Sequence, residues 1–111
     1  LIEIDIAELS DVTPYHEMMI YEALGFCRDG EGKSLIRNKI TELGGELPVN
    51  PSGGILSSNP IFASSLVRVA EAALQVTGRA GKRQVKNAGL ALAHGFTGIF
   101  SQGSSVVILG S

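Results

Sequence analysis

The 111-residue sequence contains a single cysteine, Cys27, and carries a formal net charge of only -2. A lone cysteine excludes an internal disulfide and a metal site built from a cysteine cluster. The nearly balanced charge gives no reason to expect a nucleic acid or an anionic membrane as a partner. No apolar run is long enough for a membrane span, and no signal peptide is visible. We therefore expect a cytoplasmic protein whose thiol stays reduced.

What the sequence does contain is typical of one folded domain. Hydrophobic residues make up 44% of the chain and charged residues 18%, which excludes disorder over its whole length. A chain of 111 residues can bury a real core, so we expect one domain over residues 1–111. Because the sequence begins at Leu1 inside a strand-like run, without an initiator methionine, we expect it to be a piece of a longer protein.

The first forty residues predict a strand followed by helices. Apolar and acidic residues alternate over residues 1–9, which indicates a half-buried strand. A helix should follow over residues 14–24, because Thr13 is a good N-cap and Gly25 can end the helix. The residues expected on or near its inner side are Met18, Met19, Ala23 and Phe26. A short helix is predicted over residues 34–39.

The remaining residues predict a long loop, a helix and two strands. The glycines and prolines of residues 44–58 indicate an irregular loop. A helix should follow over residues 61–76, with Asn59 as its N-cap and Pro60 as its first residue. It is so apolar that we expect it to be buried against neighbours on several sides, with Gly78 ending it. Strands are predicted over residues 89–93 and 105–109, joined by a turn over 95–103. This order of elements predicts an α/β layered domain.

Several words of the sequence together resemble the C-terminal portion of the thiolase superfamily, in its sterol-carrier or lipid-transfer branch. They are YEALGFCRDGEG (21–32), VNPSGG (49–54), NPIFASSLVRVAEAALQVTGRAG (59–81) and AHGFTG (93–98). The resemblance covers nearly the whole chain. It implies the C-terminal half of a thiolase-like subunit, with a mixed β-sheet flanked by α-helices. It also implies that the nucleophilic cysteine lies in an N-terminal half outside this sequence.

The resemblance implies a function in acyl-CoA metabolism. Thiolases are acyltransferases that carry out Claisen condensation or thiolytic cleavage of acyl-CoA thioesters, so coenzyme A enters as part of the substrate and no cofactor or metal is implied. Two alternatives stay open, namely a retro-aldolase acting on acyl-CoA side chains and a non-catalytic acyl-CoA-binding or scaffold subunit. The partners implied are a second copy in a homodimer and an acyl-CoA-binding protein with a zinc ribbon and an OB-fold.

Two residues are the candidate catalytic residues. Asn59 stands in Ser58-Asn59-Pro60, where the family has a Gly-His-Pro word whose histidine activates the nucleophile and helps to bind the thioester oxygen. Asparagine can donate a hydrogen bond to an oxyanion but cannot act as a general base, and it can equally be a plain helix cap. His94 matches the histidine form of a second family word and can transfer a proton near neutral pH. We expect both side chains to converge on one pocket at the amino end of the helix over residues 61–76.

Other residues are candidates for substrate binding. The glycine-rich words and the loop after the first strand point to Asn50, Gly53, Gly54, Gly95, Gly98 and Asp11. Asp11 matches the aspartate of a family His-Asp-Cys-Phe word, but Ser10 and Val12 replace its histidine and cysteine, and Asp11 can also cap a helix. The basic residues Arg79, Lys82, Arg83 and Lys86 either contact a coenzyme A phosphate or a partner, or belong to a solvated loop. Tyr15 is a candidate acid or base if the protein is an aldolase.

Overall fold

The structure, a computed structural model, describes residues 3–98 and 101–111 and contains one three-stranded sheet. The strands are β1 (Ile6–Glu8), β2 (Leu90–Thr97) and β3 (Gly103–Gly110), in the order β1-β2-β3. β1 runs parallel to β2, whereas β2 and β3 are antiparallel. The helices are α1 (Pro14–Ala23), α2 (Gly32–Arg37), α3 (Gly54–Ser57) and α4 (Ser64–Val76). The predicted α/β fold with a mixed sheet is confirmed.

The core lies on both faces of the sheet, because successive strand residues point to opposite sides. On one face Ala7, Leu9 and Leu92 pack with Ile20 and Tyr21 of α1. On the other face the core residues are Ile6, Ala72 of α4, Val85, Ala91 and Ala93. Odd-numbered residues of β2 therefore face α4 and even-numbered ones face α1. This parity decides where the candidate site residues lie.

Helix α1 begins and ends where its local signals predict. The Thr13 side chain accepts a hydrogen bond from the backbone N–H of His16 at 3.1 Å, and Gly25 adopts a positive φ of 71° just after the helix. The prediction of its inner side was partly wrong, because Met19 is 65% exposed and Ala23 is also exposed. Apolar residues occur around the whole helix, so periodicity alone does not select the face that Ile20 and Tyr21 bury.

Helix α4 begins later than predicted. The residues Ile61–Ala63 form a separate 3₁₀ turn, and Ile61 has a φ of 54°, which a regular right-handed helix cannot include. The Asn59 side-chain oxygen accepts hydrogen bonds from the Ile61 backbone N–H at 3.1 Å and from the Ser64 hydroxyl. Asn59 therefore caps this turn rather than α4 itself. Gly78 ends α4 with a φ of 70°, as predicted.

The burial of α4 also differs from the prediction. Arg68 and Gln75 are buried, whereas Leu66 is 69% exposed and Phe62, just before the helix, is fully exposed. Gln75 faces inward, where its side-chain amide donates to the Arg83 carbonyl and accepts from the Val85 N–H. These bonds satisfy backbone groups of the loop before β2. Within the described residues α4 is thus covered on its sheet side and not on several sides.

The strands and loops differ from their predicted bounds in smaller ways. The first strand was predicted over residues 1–9 as half-buried, but within the described residues only Ile6–Glu8 is a strand, and all three of its residues are buried. Leu1 and Ile2 lie outside the described residues. β2 and β3 extend the predicted strands to eight residues each, which shortens the turn between them; its residues 99 and 100 also lie outside the described residues. The loop over residues 44–58 contains α3 and an isolated parallel bridge between Val49 and Ala7.

Candidate functional site

A cavity of about 300 Å³ lies where the loop after β1 approaches the start of α4. We call it the Asn59 cavity; Ser10, Val12, Asn59, Ser64 and Phe62 contribute to its wall. None of the residues that line it has a titratable side chain. Since the Asn59 oxygen is held by Ile61 and Ser64, its amide nitrogen is the end that can donate to a ligand. The Asn59 cavity therefore offers neutral hydrogen-bond donors and no group that can remove a proton.

His94 lies on the α1 side of β2, as its even position requires. Its side chain lines a second cavity of about 300 Å³, the His94 cavity, together with His16, Met19 and Ser104. His94 is only 5% exposed, its Nε2 lies 3.4 Å from the Ser104 hydroxyl, and its buried Nδ1 has no hydrogen-bond partner. Burial lowers the pKa of His94, and the nearby charge of His16 lowers that pKa further. The imidazole is therefore neutral at pH 7.

The structure does not bring Asn59 and His94 into one cavity, which corrects the prediction of a shared pocket. Phe96 is common to both cavities, and the Ser10 hydroxyl donates to the His94 backbone carbonyl at 2.9 Å. The two cavities are thus neighbours connected through the backbone of β2. The prediction failed because His94 lies on the face of β2 away from α4, whereas Asn59 lies in the loop that leads into α4.

Asp11 is 3% exposed and holds α3 in place. Its carboxylate accepts a hydrogen bond from the Ile55 backbone N–H at 2.7 Å. Burial raises the pKa of Asp11, and the hydrogen bond from Ile55 partly offsets that rise. Gly54, with a φ of 64°, lies so close that a Cβ there would collide with the Asp11 carboxylate. Asp11 therefore caps α3 across the chain, while Thr13 caps α1.

The other predicted binding residues hold the backbone around the two cavities. The Asn50 side-chain oxygen accepts from the Leu9 N–H at 2.6 Å, and the Asn50 backbone N–H donates to the Ala7 carbonyl at 2.8 Å. At Gly95 a Cβ would lie 2.5 Å from the Ser65 side chain, so glycine allows β2 to approach α4 closely. Gly53 and Gly98 have positive φ values of 95° and 89° and occupy turns.

Sequence reasoning missed a buried ion pair between the end of β1 and α4. Arg68 Nη1 lies 3.6 Å from Glu8 Oε2, and both side chains are at most 1% exposed. Glu8 also accepts hydrogen bonds from Ser52, from its backbone N–H at 3.2 Å and its hydroxyl at 2.7 Å. A signal was present in the strand, because Glu8 occupies the same face as Ile6 and so places an acidic residue in an apolar row.

The remaining candidates lie outside both cavities. Tyr15 is 77% exposed and lines neither of them. Burial is the largest cause that raises the pKa of the Cys27 thiol, which disfavours the nucleophilic thiolate. Arg83 pairs with Glu71 at 2.9 Å, while Arg79, Lys82 and Lys86 are exposed.

Over residues 3–98 and 101–111, no three or more His, Cys, Asp and Glu side chains cluster in a way that could hold a metal ion. In the same part of the chain, none of the helices has the length and apolar character needed to cross a membrane.

The family can be assigned from comparisons with known proteins. A family described as thiolase C-terminal domain-like matches residues 2–111. The chain is 43% identical over 93 residues to sterol carrier protein 2 of Homo sapiens, which covers 83% of the chain and 17% of that protein. It is 36% identical over 97 residues to an acetyl-CoA acetyltransferase of Methanothermobacter thermautotrophicus, covering 86% of the chain and 25% of that protein. The chain therefore belongs to the thiolase C-terminal domain-like family.

A solved structure supports the same fold. The Ltp2-ChsH2(DUF35) aldolase superimposes with a TM-score of 0.84 at 31% sequence identity, over 99% of this chain and 27% of the other. The chain thus spans between 17% and 27% of the length of these three relatives. The resemblance to the thiolase superfamily in the sequence is confirmed.

Proposed function

We propose that the chain is the C-terminal part of a longer thiolase-like acyl-CoA acyltransferase, which we call the proposed parent. It carries out Claisen condensation or thiolytic cleavage of acyl-CoA thioesters. The family and the acetyl-CoA acetyltransferase among the relatives support this class of reaction. The observation that carries the proposal is the Asn59 cavity, where an oriented amide and hydroxyl groups meet without a charged side chain. Such a cavity suits the neutral carbonyl of a thioester that becomes negative during the reaction.

In this proposal Asn59 stabilises the thioester oxygen. Because Ile61 and Ser64 hold the amide oxygen, the amide nitrogen is oriented before substrate binds, and an oriented donor needs no reorganisation when charge develops. The neutral His94 imidazole lines the neighbouring His94 cavity, which shares Phe96 with the Asn59 cavity. In this proposal it accepts or positions a proton. Asp11, Asn50 and the loop glycines support the substrate site through the backbone that they hold.

We expect the chain alone to be inactive. The resemblance places the nucleophilic cysteine in the N-terminal half, and Cys27 has an unfavourably raised pKa for that role. Thiolysis of acetoacetyl-CoA can be monitored as a decrease in the absorbance of this substrate. It should be undetectable with residues 1–111 and readily measured with the proposed parent. Turnover by the 111-residue chain would contradict the assignment of the nucleophile to the missing half.

A retro-aldolase is the second candidate function. Asn59 replaces the family histidine and cannot act as a base, and the aldolase relative has a TM-score of 0.84. In a retro-aldol step the hydroxyl of a 3-hydroxyacyl-CoA loses its proton, the C2–C3 bond breaks, and C2 then takes up a proton, which gives a carbonyl compound and a shorter acyl-CoA.

The two functions can be separated with paired substrates. The proposed parent should cleave 3-oxoacyl-CoA only when free coenzyme A is added, because thiolysis consumes it. A retro-aldolase would instead cleave 3-hydroxyacyl-CoA without free coenzyme A, as seen by release of an aldehyde or ketone. Cleavage of the hydroxy substrate alone would replace the acyltransferase proposal with the aldolase one. Binding of both thioesters without cleavage of either would favour the scaffold alternative.

We also propose the assembly that the resemblance implies. The proposed parent forms a homodimer in the cytoplasm, and an acyl-CoA-binding protein with a zinc ribbon and an OB-fold is its candidate partner. Light scattering on the purified parent tests the dimer.

A further inference from the structure

The buried pair of Glu8 and Arg68 lies one helix turn from a wall of the Asn59 cavity. Glu8 is the last residue of β1, on the face that packs against α4. Arg68 lies one turn after Ser64, which lines the cavity and donates to Asn59. The side chains of Glu8 and Arg68 are 0% and 1% exposed. The pair therefore connects the end of β1 to the helix turn that carries the cavity wall.

The Glu8 carboxylate also fixes the loop before α3. It accepts both hydrogen bonds from Ser52, and the Ser52 hydroxyl in turn accepts from the Gly54 N–H at 3.2 Å. The next residue, Ile55, is held by Asp11 and lines the Asn59 cavity. Two walls of the cavity, the start of α4 and the start of α3, are thus tied to one buried carboxylate.

Stability alone does not account for this pair. Burying two charges is costly, and a buried ion pair offsets that cost only when its remaining donors are satisfied. Here Arg68 Nε and Nη1 are buried without hydrogen-bond partners, and the closest approach to Glu8 is 3.6 Å. Apolar or amide residues of similar size would fill the same space at lower cost. What the charges add is a carboxylate that accepts two hydrogen bonds from Ser52 at once.

We propose that Glu8 and Arg68 are positioning residues of the Asn59 cavity: Arg68 holds Glu8 as a carboxylate, and Glu8 holds Ser52 so that the α3 and α4 walls keep their spacing. Their role in turnover rests on the proposed acyl-CoA function. Their role in fixing the cavity wall does not, since it follows from contacts within this chain.

The test uses the neutral double variant E8Q/R68M in the proposed parent, beside E8Q alone. E8Q leaves Arg68 buried without a counter-charge and should lower the melting temperature, whereas the double variant removes both charges and should recover it. In the double variant kcat for acyl-CoA turnover should nevertheless stay about 10- to 100-fold below the wild-type value, with KM changed less than about threefold. R68K in the otherwise wild-type parent keeps the positive charge beside Glu8, so its kcat should lie between those of the double variant and the wild type.

The matched control is K39Q, which breaks the exposed pair of Lys39 with Glu42 and should leave kcat within about twofold, because neither residue lines the Asn59 cavity. Amide hydrogen exchange gives a second readout that needs no activity. The N–H groups of Ser52, Gly54 and Ile55 should exchange about tenfold faster in the double variant, with α1 unchanged. Wild-type exchange at these amides in a stable double variant would overturn the proposal. If the wild-type parent neither binds nor turns over acyl-CoA, the proposed function fails, and the exchange result still decides the positioning role.

Discussion

Replacing His94 with alanine in the proposed parent should lower kcat/KM for acyl-CoA turnover by about 100-fold or more, the usual contribution of a group that transfers a proton. The imidazole is neutral and lines the His94 cavity, where it can accept a proton from a ligand. Steady-state kinetics of H94A and H94N measure the effect. The matched control is S104A, which removes only the hydroxyl near Nε2 and should change kcat/KM less than about threefold.

The asparagine variant distinguishes two roles of His94. Asparagine keeps a hydrogen-bonding side chain but cannot transfer a proton. Activity of H94N close to wild type would therefore show that His94 only positions a group, and wild-type activity of H94A would leave it without a part in turnover.

The same residue predicts the acid side of the pH profile. His94 must be neutral to accept a proton, and burial followed by the charge of His16 lowers its pKa below the usual 6.5. As the pH is lowered, activity should therefore stay constant past pH 6.5 and decrease only at the lower pH at which His94 becomes protonated. Removing the neighbouring charge with H16Q should raise the pKa of His94 and move this limb to higher pH. An unchanged limb in H16Q would assign it to another group.

Stability should follow the same group. In the unfolded chain His94 binds a proton near pH 6.5, whereas burial lowers its pKa in the folded chain. The contribution of neutral His94 to the free energy of unfolding is therefore fully present above pH 6.5. It is lost as the pH falls through the folded-state pKa. The loss of melting temperature between about pH 7 and pH 5 should be smaller in H94N than in the wild type.

The parts of the fold that the sequence predicts are those fixed by local chemistry. Thr13 begins α1 because its side-chain oxygen caps the first turn, and Gly25 ends it because a positive φ is needed there. Both requirements are local and do not depend on what packs nearby. Gly78 ends α4 for the same reason. Apolar runs predicted all three strands, although β1 is only Ile6–Glu8 and is buried throughout, so the alternation over residues 1–9 did not predict its burial.

The parts that sequence reasoning missed depend on partners far along the chain. Arg68 is one of the few polar residues of an apolar helix, yet it is buried because Glu8, sixty residues earlier, lies opposite it. Met19 is as apolar as Ile20, and only the position of β2 decides which of them is covered. Strand parity predicts that His94 lies on the face of β2 opposite to Ala91 and Ala93, but both faces are buried, so only the structure shows which of them packs on α4.

Replacing Tyr21 with alanine should cost about 3–5 kcal/mol in the free energy of unfolding, the largest stability effect that we expect from one side chain of this domain. Tyr21 is 1% exposed, packs in the cluster with Ile20 and Leu92, and its ring lies 6.1 Å from that of Phe26. Its hydroxyl donates to the Glu17 carboxylate one turn earlier, and burial raises the pKa of the phenol, which keeps it a neutral donor.

The matched control is Tyr21→Phe, which keeps the ring and removes only the hydroxyl. It should cost about 1–2 kcal/mol, because the half-buried Glu17 carboxylate loses a donor while the core stays filled. Denaturant unfolding of both variants in the same background gives the two free energies. An alanine variant no less stable than the phenylalanine one would mean that the ring adds nothing to the core, and the packing of α1 on the sheet through Tyr21 would then have to be abandoned.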